Sequence, residues 1–245
     1  MKFARYKKSS PVSYALGATL CYELLKTHSN QITRVFLRPN SAEGEQLIKL
    51  IAQIQAQHIP LIESDKPFNV LDAKANCLLI AEFTKNNPGQ TITSPQIVLV
   101  NPSDSGNLGT IMRSAVGFGF RRLAIIEPAV DSFDPKVVRA SMGAIFHLQV
   151  QHFDTVEAYL KAFPDYQRYA FMLNPTSAPI KAVLASKPAP LDHVALIFGN
   201  EATGLPATYA QFCQPVILKQ TADIDSLNLS VAASIAMYQF FESTN

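Results

Sequence analysis

Asn101 to Ala115, NPSDSGNLGTIMRSA, sets a polar, glycine-bearing loop between the apolar run Ile97-Val98-Leu99-Val100 and an amphipathic segment. A strand, a loop and a helix start in that order are where open α/β sheets hold phosphates and cofactors. The loop is neither a GxxxxGK phosphate cradle nor a GxGxxG dinucleotide fingerprint, so a different site chemistry is built on this frame. A second junction follows Ala195-Leu196-Ile197-Phe198, which runs into Gly199-Asn200-Glu201-Ala202-Thr203-Gly204-Leu205. A third, Asp225-Ser226-Leu227-Asn228-Leu229-Ser230-Val231-Ala232, opens a long apolar helix. The histidines His28, His58, His147, His152 and His193 form no ligand cluster, and Cys21, Cys77 and Cys213 contain no CxxC pair. No metal is expected.

Taken together, the three junctions resemble the three motifs of the SpoU/TrmH branch of the SPOUT methyltransferases, which methylate ribose 2′-hydroxyls in RNA. Phe133-Asp134-Pro135 and Arg139-Ala140-Ser141-Met142-Gly143-Ala144 are similar to the family's segment between its first and second motifs. The resemblance covers residues 95–245. It implies a mostly parallel α/β sheet whose C-terminal part is threaded as a trefoil knot, with S-adenosylmethionine bound at the knot. It also implies a homodimer acting on structured RNA.

Site residues carry over motif by motif. The resemblance marks Arg113, Asn107, Glu201, Ser226 and Asn228 as catalytic. Gly199, Asn200, Glu201, Gly204, Ile217, Leu218, Ser226, Leu227 and Asn228 are expected to hold the cofactor, and Arg139 and Ser141 to meet RNA. Outside its motif Arg113 reads as an ordinary surface arginine on a helix. The family proposal makes it a general base. Because arginine stays protonated in proteins, a guanidinium that holds phosphate and stabilises the incipient alkoxide is the easier role. Glu201 is expected either to fix Arg113 or to accept a substrate hydrogen bond. Asn107, Ser226 and Asn228 also read as helix N-caps, a role compatible with a place in the site. Gly117 and Gly119 read as the stop of the first-motif helix. Three departures from the family's pattern stand out: Ser105 stands where proline is usual, Leu218-Lys219 replaces the usual proline-methionine, and Ala202 replaces a frequent glycine.

These loops need a frame. After a polar stretch at 84–95, which reads as a linker, strands are expected at Ile97–Val100, Leu123–Glu127, Leu148–Gln151, Tyr169–Leu173, Val194–Phe198 and Pro215–Leu218. Apolar runs interleaved with helical stretches predict a mostly parallel sheet with helices on both faces. Ser226 to Glu242 predicts a helix apolar nearly all round, which must be buried in a core or against a partner subunit. Residues 1–94 read as a separate small α/β domain, with helices at Leu16–Lys26 and Ala42–His58 and strands at Val35–Leu37, Pro60–Ile62 and Cys77–Ala81. The domains expected are therefore 1–94 for RNA binding and 95–245 for methyl transfer.

Charge fits that division. Residues 1–94 carry eleven basic and seven acidic side chains, whereas the remainder carries ten and twelve. A basic first part suits an anionic polymer, and on charge alone it reads equally as a solubilising face. The apolar stretch Pro11 to Leu25 is interrupted by Ser13, Tyr14, Thr19 and Glu23, so it reads as a helix of a soluble domain rather than a signal peptide. No run approaches the roughly 18 apolar residues of a membrane span. Unpaired cysteines fit the cytoplasm. The leading expectation is an rRNA 2′-O-methyltransferase. The alternatives are a tRNA enzyme, a methyltransferase acting on a base, or a non-catalytic RNA-binding protein that keeps the fold.

Overall fold

The computed structural model describes residues 3, 5–41, 44–85, 93–186 and 190–243. Its elements in chain order begin with β1 (Val12–Leu16), α1 (Ala18–His28), β2 (Ile32–Leu37), α2 (Glu45–Ala56), β3 (Leu61–Glu63), α3 (Lys66–Val70) and β4 (Leu79–Thr84). There follow β5 (Gln96–Val100), α4 (Ser105–Gly117), β6 (Arg122–Ile126), α5 (Pro135–Ala140), β7 (Gln149–Phe153), α6 (Val156–Ala162) and β8 (Gln167–Phe171). The chain ends with β9 (Ala178–Pro179), α7 (Ile180–Ala185), β10 (Val194–Phe198), β11 (Gln214–Ile217) and α8 (Leu229–Glu242).

These elements form two units. One comprises Met1–Asn87 with Asp131–His147, the other Pro88–Val130 with Leu148–Asn245. Of the linker read at 84–95, residues 86–92 lie outside the described residues. The excursion Asp131–His147, which the sequence reading placed in the C-terminal domain, belongs to the first unit. Ser13 Oγ donates to Phe133 O at 2.5 Å, and the Phe83 and Phe146 rings meet edge to face at 5.4 Å. Removing residues 1–94 would therefore strip the partners from Val137, Val138 and Phe146, all buried.

In the first unit four strands lie in the order β1-β4-β2-β3, with β4 antiparallel to both neighbours and β2 parallel to β3. Tyr14, Leu16, Phe36, Phe68, Cys77 and Ile80 pack together on it. The Pro11–Leu25 stretch is not one helix. Val12–Leu16 pairs with Ile80–Thr84, and Gly17, at φ 107, turns the chain into α1. Only glycine adopts that φ without steric cost, so strand and helix abut with no loop between them. The short β1 and α3 were both missed in the sequence.

In the second unit seven strands run parallel in the order β7-β6-β5-β10-β8-β11-β9. All six strands expected there are present, shifted by two residues at most; β9 is the addition. Every residue of β10 is buried, as a central strand covered on both faces requires. From β5 the chain builds outward through β6 to β7, then returns to lay β8 and later β10 on the other side. The β5/β10 pair is thus where the strand order reverses, and the crevice beyond the carboxyl ends there is where such sheets bind ligands. Helix α8 begins at Leu229 rather than Ser226, because Asn228 caps it. Among the described residues, no helix is long and apolar enough to cross a membrane.

Candidate active site

Three loops leave the carboxyl ends of β5, β10 and β11, and side-chain hydrogen bonds tie them together. The loop after β10 is folded by Asn200, whose Oδ1 accepts from Ala202 N (2.9 Å) and Thr203 N (3.2 Å). Its backbone closes where Gly204 N donates to Asn200 O at 2.9 Å. Glycine is required at 199: a Cβ there would sit 2.2 Å from the Gly204 carbonyl carbon. Asn200 Nδ2 then reaches across to Asn101 O at 2.8 Å, holding this loop to the one after β5.

Glu201 completes that junction. One carboxylate oxygen accepts from Ser103 N (3.1 Å) and Ser103 Oγ (2.8 Å), the other from Asp104 N (3.2 Å) and Asn107 Nδ2 (3.3 Å). Partial burial pushes its pKa upward, but its own backbone amide, Ser103 and Asn107 outweigh that and hold the carboxyl below the usual carboxylate range. Glu201 is ionised at neutral pH, and its partners are donors from the first loop together with Asn200 Nδ2 of its own loop at 3.4 Å. Glu201 therefore does not fix Arg113.

Asn107 is the hub. Its Oδ1 accepts from Asn228 Nδ2 at 3.0 Å while its own Nδ2 faces Glu201, so one amide bridges all three motifs. It does not cap α4. Asp104 does, accepting from Asn107 N at 2.7 Å. Asn228 caps α8 as expected, its Oδ1 accepting from Ser230 N at 2.9 Å and Ser230 Oγ at 2.7 Å. Asn228, not Ser226, is the cap of α8, and Ser226 is exposed on the loop that leads to it.

Beside this network lies a cavity of about 570 Å³ at the carboxyl ends of β8, β10 and β11. That volume is within the range of small-molecule sites. Gly199, Asn200, Glu201, Gly204, Ile217, Leu218, Ser226 and Leu227 all line it. Of the expected cofactor set only Asn228 does not, because its side chain turns to α8 and Asn107. Phe171 and Phe198, stacked at 4.6 Å and 11°, form an aromatic wall of the same cavity. The segment Met172 to Pro175 also lines it and was not singled out in the sequence. Its signal was available: Asn174-Pro175 turns the chain just beyond a buried strand that lies between β10 and β11.

Arg113 stands apart from the cavity. It is exposed on α4, and among the described residues it makes no hydrogen bond or ion pair. The adjacent Ser114 packs against the last helix, its Oγ 2.7 Å from Ser234 Oγ. Arg113 is thus an exposed guanidinium with no partner among the described residues, one position before the serine that meets α8. Arg139 is exposed in the first unit. Ser141 is wholly buried, its hydroxyl donating to Val138 O at 2.8 Å, so it ends α5 and is not available to RNA.

Two of the departures from the family's pattern are mild. Ser105 is the first residue of α4, where a proline is tolerated but not needed. Ala202 keeps an ordinary negative φ, so glycine is not required. Gly119, at φ 79 just beyond α4, ends that helix as expected.

The model of the SpoU rRNA methylase family matches residues 94–238. The chain is 29% identical over 146 residues to an uncharacterized tRNA/rRNA methyltransferase of Synechocystis, covering 58% of this chain and 51% of that protein. It is 26% identical over 186 residues to the 23S rRNA (guanosine-2′-O-)-methyltransferase RlmB of Acinetobacter baylyi, covering 74% and 70%. The chain spans about half the length of the first of these relatives. Its fold matches an AdoMet-bound rRNA methyltransferase from Sinorhizobium meliloti with a TM-score of 0.76 at 23% identity, over 94% of this chain and 87% of that one.

Proposed function

We propose that this chain, which belongs to the SpoU rRNA methylase family, transfers a methyl group from S-adenosylmethionine to a ribose 2′-hydroxyl in RNA, with rRNA favoured over tRNA. The observation that carries the proposal is the single network Glu201–Asn107–Asn228 joining three loops beside a cavity of about 570 Å³. The residues present suit the cofactor. Gly199 and Gly204 give a close backbone approach, Ile217, Leu218 and Leu227 give apolar contact, and Phe171 and Phe198 give a flat wall. When bound, S-adenosylmethionine supplies an activated methyl group, so the protein's task is to orient and polarise.

In this reading Glu201 and Asn107 position rather than react, because their polar atoms are spent on the loops. Arg113, with no partner among the described residues, holds a substrate phosphate and stabilises negative charge developing on the ribose oxygen. Ser226 orients the cofactor from its exposed loop. The trefoil threading belongs to the same proposal; its support is that the loops after β10 and β11 line one cavity.

The first unit is proposed to grip RNA, with Arg139 a phosphate contact on its surface. A homodimer is proposed through α8, where Val231, Ile235 and Tyr238 form an apolar stripe at i, i+4 and i+7 and are 46%, 40% and 44% exposed. The free, buried Cys21, Cys77 and Cys213 fit the cytoplasm. Calorimetry with S-adenosylmethionine in EDTA tests the cofactor assignment. Binding without metal supports it, and no binding at millimolar cofactor favours a non-catalytic RNA-binding protein.

A further inference from the structure

Helices α1 and α2 of the first unit leave between them an open hollow of about 290 Å³, lined by Tyr22, Leu25, Lys26, Gln53, Ala56 and Gln57. Its composition is unlike that of a gap between packed helices. Leu25, 6% exposed, closes the bottom, but Tyr22 beside it leaves 46% of its surface in solvent. Gln53 and Gln57 are one turn apart and so share a face of the helix end. Neither side-chain amide has a hydrogen-bond partner among the described residues. Lys26, one turn beyond Tyr22, makes no ion pair among them either, and no carboxylate lines the hollow. The nearby Glu23 is engaged by His147 at 3.1 Å.

We propose that this hollow receives one unpaired nucleobase of the RNA substrate, stacked on Tyr22, with Gln53 and Gln57 addressing its edge and Lys26 the adjoining phosphate. The inference rests on the RNA reading of the active site and assigns it a recognition point in the first unit. Each component matches a part of a single-stranded nucleotide. An exposed aromatic ring offers a stacking platform, and carboxamides present donor and acceptor together to a base edge. An ammonium meets phosphate as a point charge. The volume is at the lower end for small-molecule sites, enough for one ring system and too little for a packed helix or strand. A ring held open beside a cation and two free amides suits a polar, flat, anionic partner better than an apolar one.

The test uses the full chain and fluorescein-labelled single-stranded decamers of uridine and of adenosine, read by anisotropy across a salt series. Tyr22→Ala is expected to weaken binding at least about fivefold, the low end for one lost base–aromatic stack. Its salt slope should stay unchanged, since no phosphate contact is removed. Tyr22→Phe keeps the platform and should bind within about twofold of wild type. Lys26→Gln should instead flatten the slope by about 0.7 in log–log terms, one phosphate contact on a single strand. Wild-type affinity for both decamers in Tyr22→Ala would overturn the proposal. So would a Tyr22→Ala loss accompanied by a change in sedimentation, which would make the hollow a protein contact. S-adenosylmethionine titration of the same variants separates the two readings: failure of the wild type to bind cofactor counts against the methyl-transfer function, whereas the decamer result decides the hollow.

Discussion

Glu201→Gln keeps the shape of the side chain and removes its charge, so it isolates what the carboxylate does. The two oxygens accept five hydrogen bonds, two from Ser103, one each from Asp104 and Asn107, and a longer one from Asn200 Nδ2 at 3.4 Å. In the variant one oxygen becomes an NH₂ facing a pair of donors. Turned toward Ser103, it loses the backbone bond there and the longer one from Asn200, although the Ser103 hydroxyl can rotate to accept. Turned toward Asn107, it forces that amide to flip and lose Asn228. The first orientation is the cheaper. Hydrogen bonds to a charged group contribute about 1.5–3 kcal/mol each, and two are lost or weakened. Ser103 and Asp104 are exposed, so water replaces part of this, and a net cost of about 1–3 kcal/mol follows. Amide exchange at Ser103 and Asp104 should accelerate about five- to a hundredfold in Glu201→Gln, while amides in β6 stay protected. The pH dependence has a definite sign. A carboxyl held below its ordinary value of 4.5 stabilises the loops fully above that value and loses its contribution as pH falls through the lower folded one. Ser103 and Asp104 amide shifts should therefore be flat from neutral pH down to about that value and then move, and the variant should show no step. Unchanged exchange at both amides in Glu201→Gln would refute the clamp.

Arg113→Ala and Arg113→Lys should fold and bind cofactor normally, since the side chain is exposed and unpaired, yet both should lose at least ~10²-fold in single-turnover methyl transfer; near-normal rates for Arg113→Ala would remove Arg113 from the chemistry. Gly199→Ala drives a methyl group into the Gly204 backbone at 2.2 Å, so it should lose about 3 kcal/mol of stability and most cofactor affinity by calorimetry; tight binding in that variant would contradict the loop geometry. Ile235→Asp puts a charge in the centre of the α8 stripe and should yield a folded monomer by light scattering, and an unchanged mass would place the self-association surface elsewhere.

Most of the second unit's frame was legible because its strands are buried on both faces and therefore read as unbroken apolar runs. Val194–Phe198 was located to the residue for that reason. Val12–Leu16 was not, since Tyr14 and Ser13 break the run and only pairing with β4 makes it a strand. The excursion Asp131–His147 was also invisible: its contacts to Ser13 and Phe83 join residues fifty or more positions apart along the chain. In the site, motif spacing found the loops but not which atoms meet. Asn107 looked like a cap, and Asp104, three residues earlier, took that place. Glu201 looked like a partner for Arg113 or for substrate, and the donors of the first loop took its carboxylate instead. Ser141 reads as polar in sequence, yet the end of α5 buries it. Sequence types alone do not settle such competitions among donors, because every candidate is chemically adequate and position decides.

The central claim is methyl transfer to a ribose 2′-hydroxyl. Its most direct test maps 2′-O-methylated positions across rRNA and tRNA from cells carrying the wild-type chain, Arg113→Ala, or neither, and then restores the wild-type reaction in vitro with labelled S-adenosylmethionine. The account predicts a ribose methyl group present only with the wild-type chain, at a position the purified protein re-methylates without added metal. Identical 2′-O-methylation maps in all three strains, with no label transferred to rRNA or tRNA from the null strain, would contradict it.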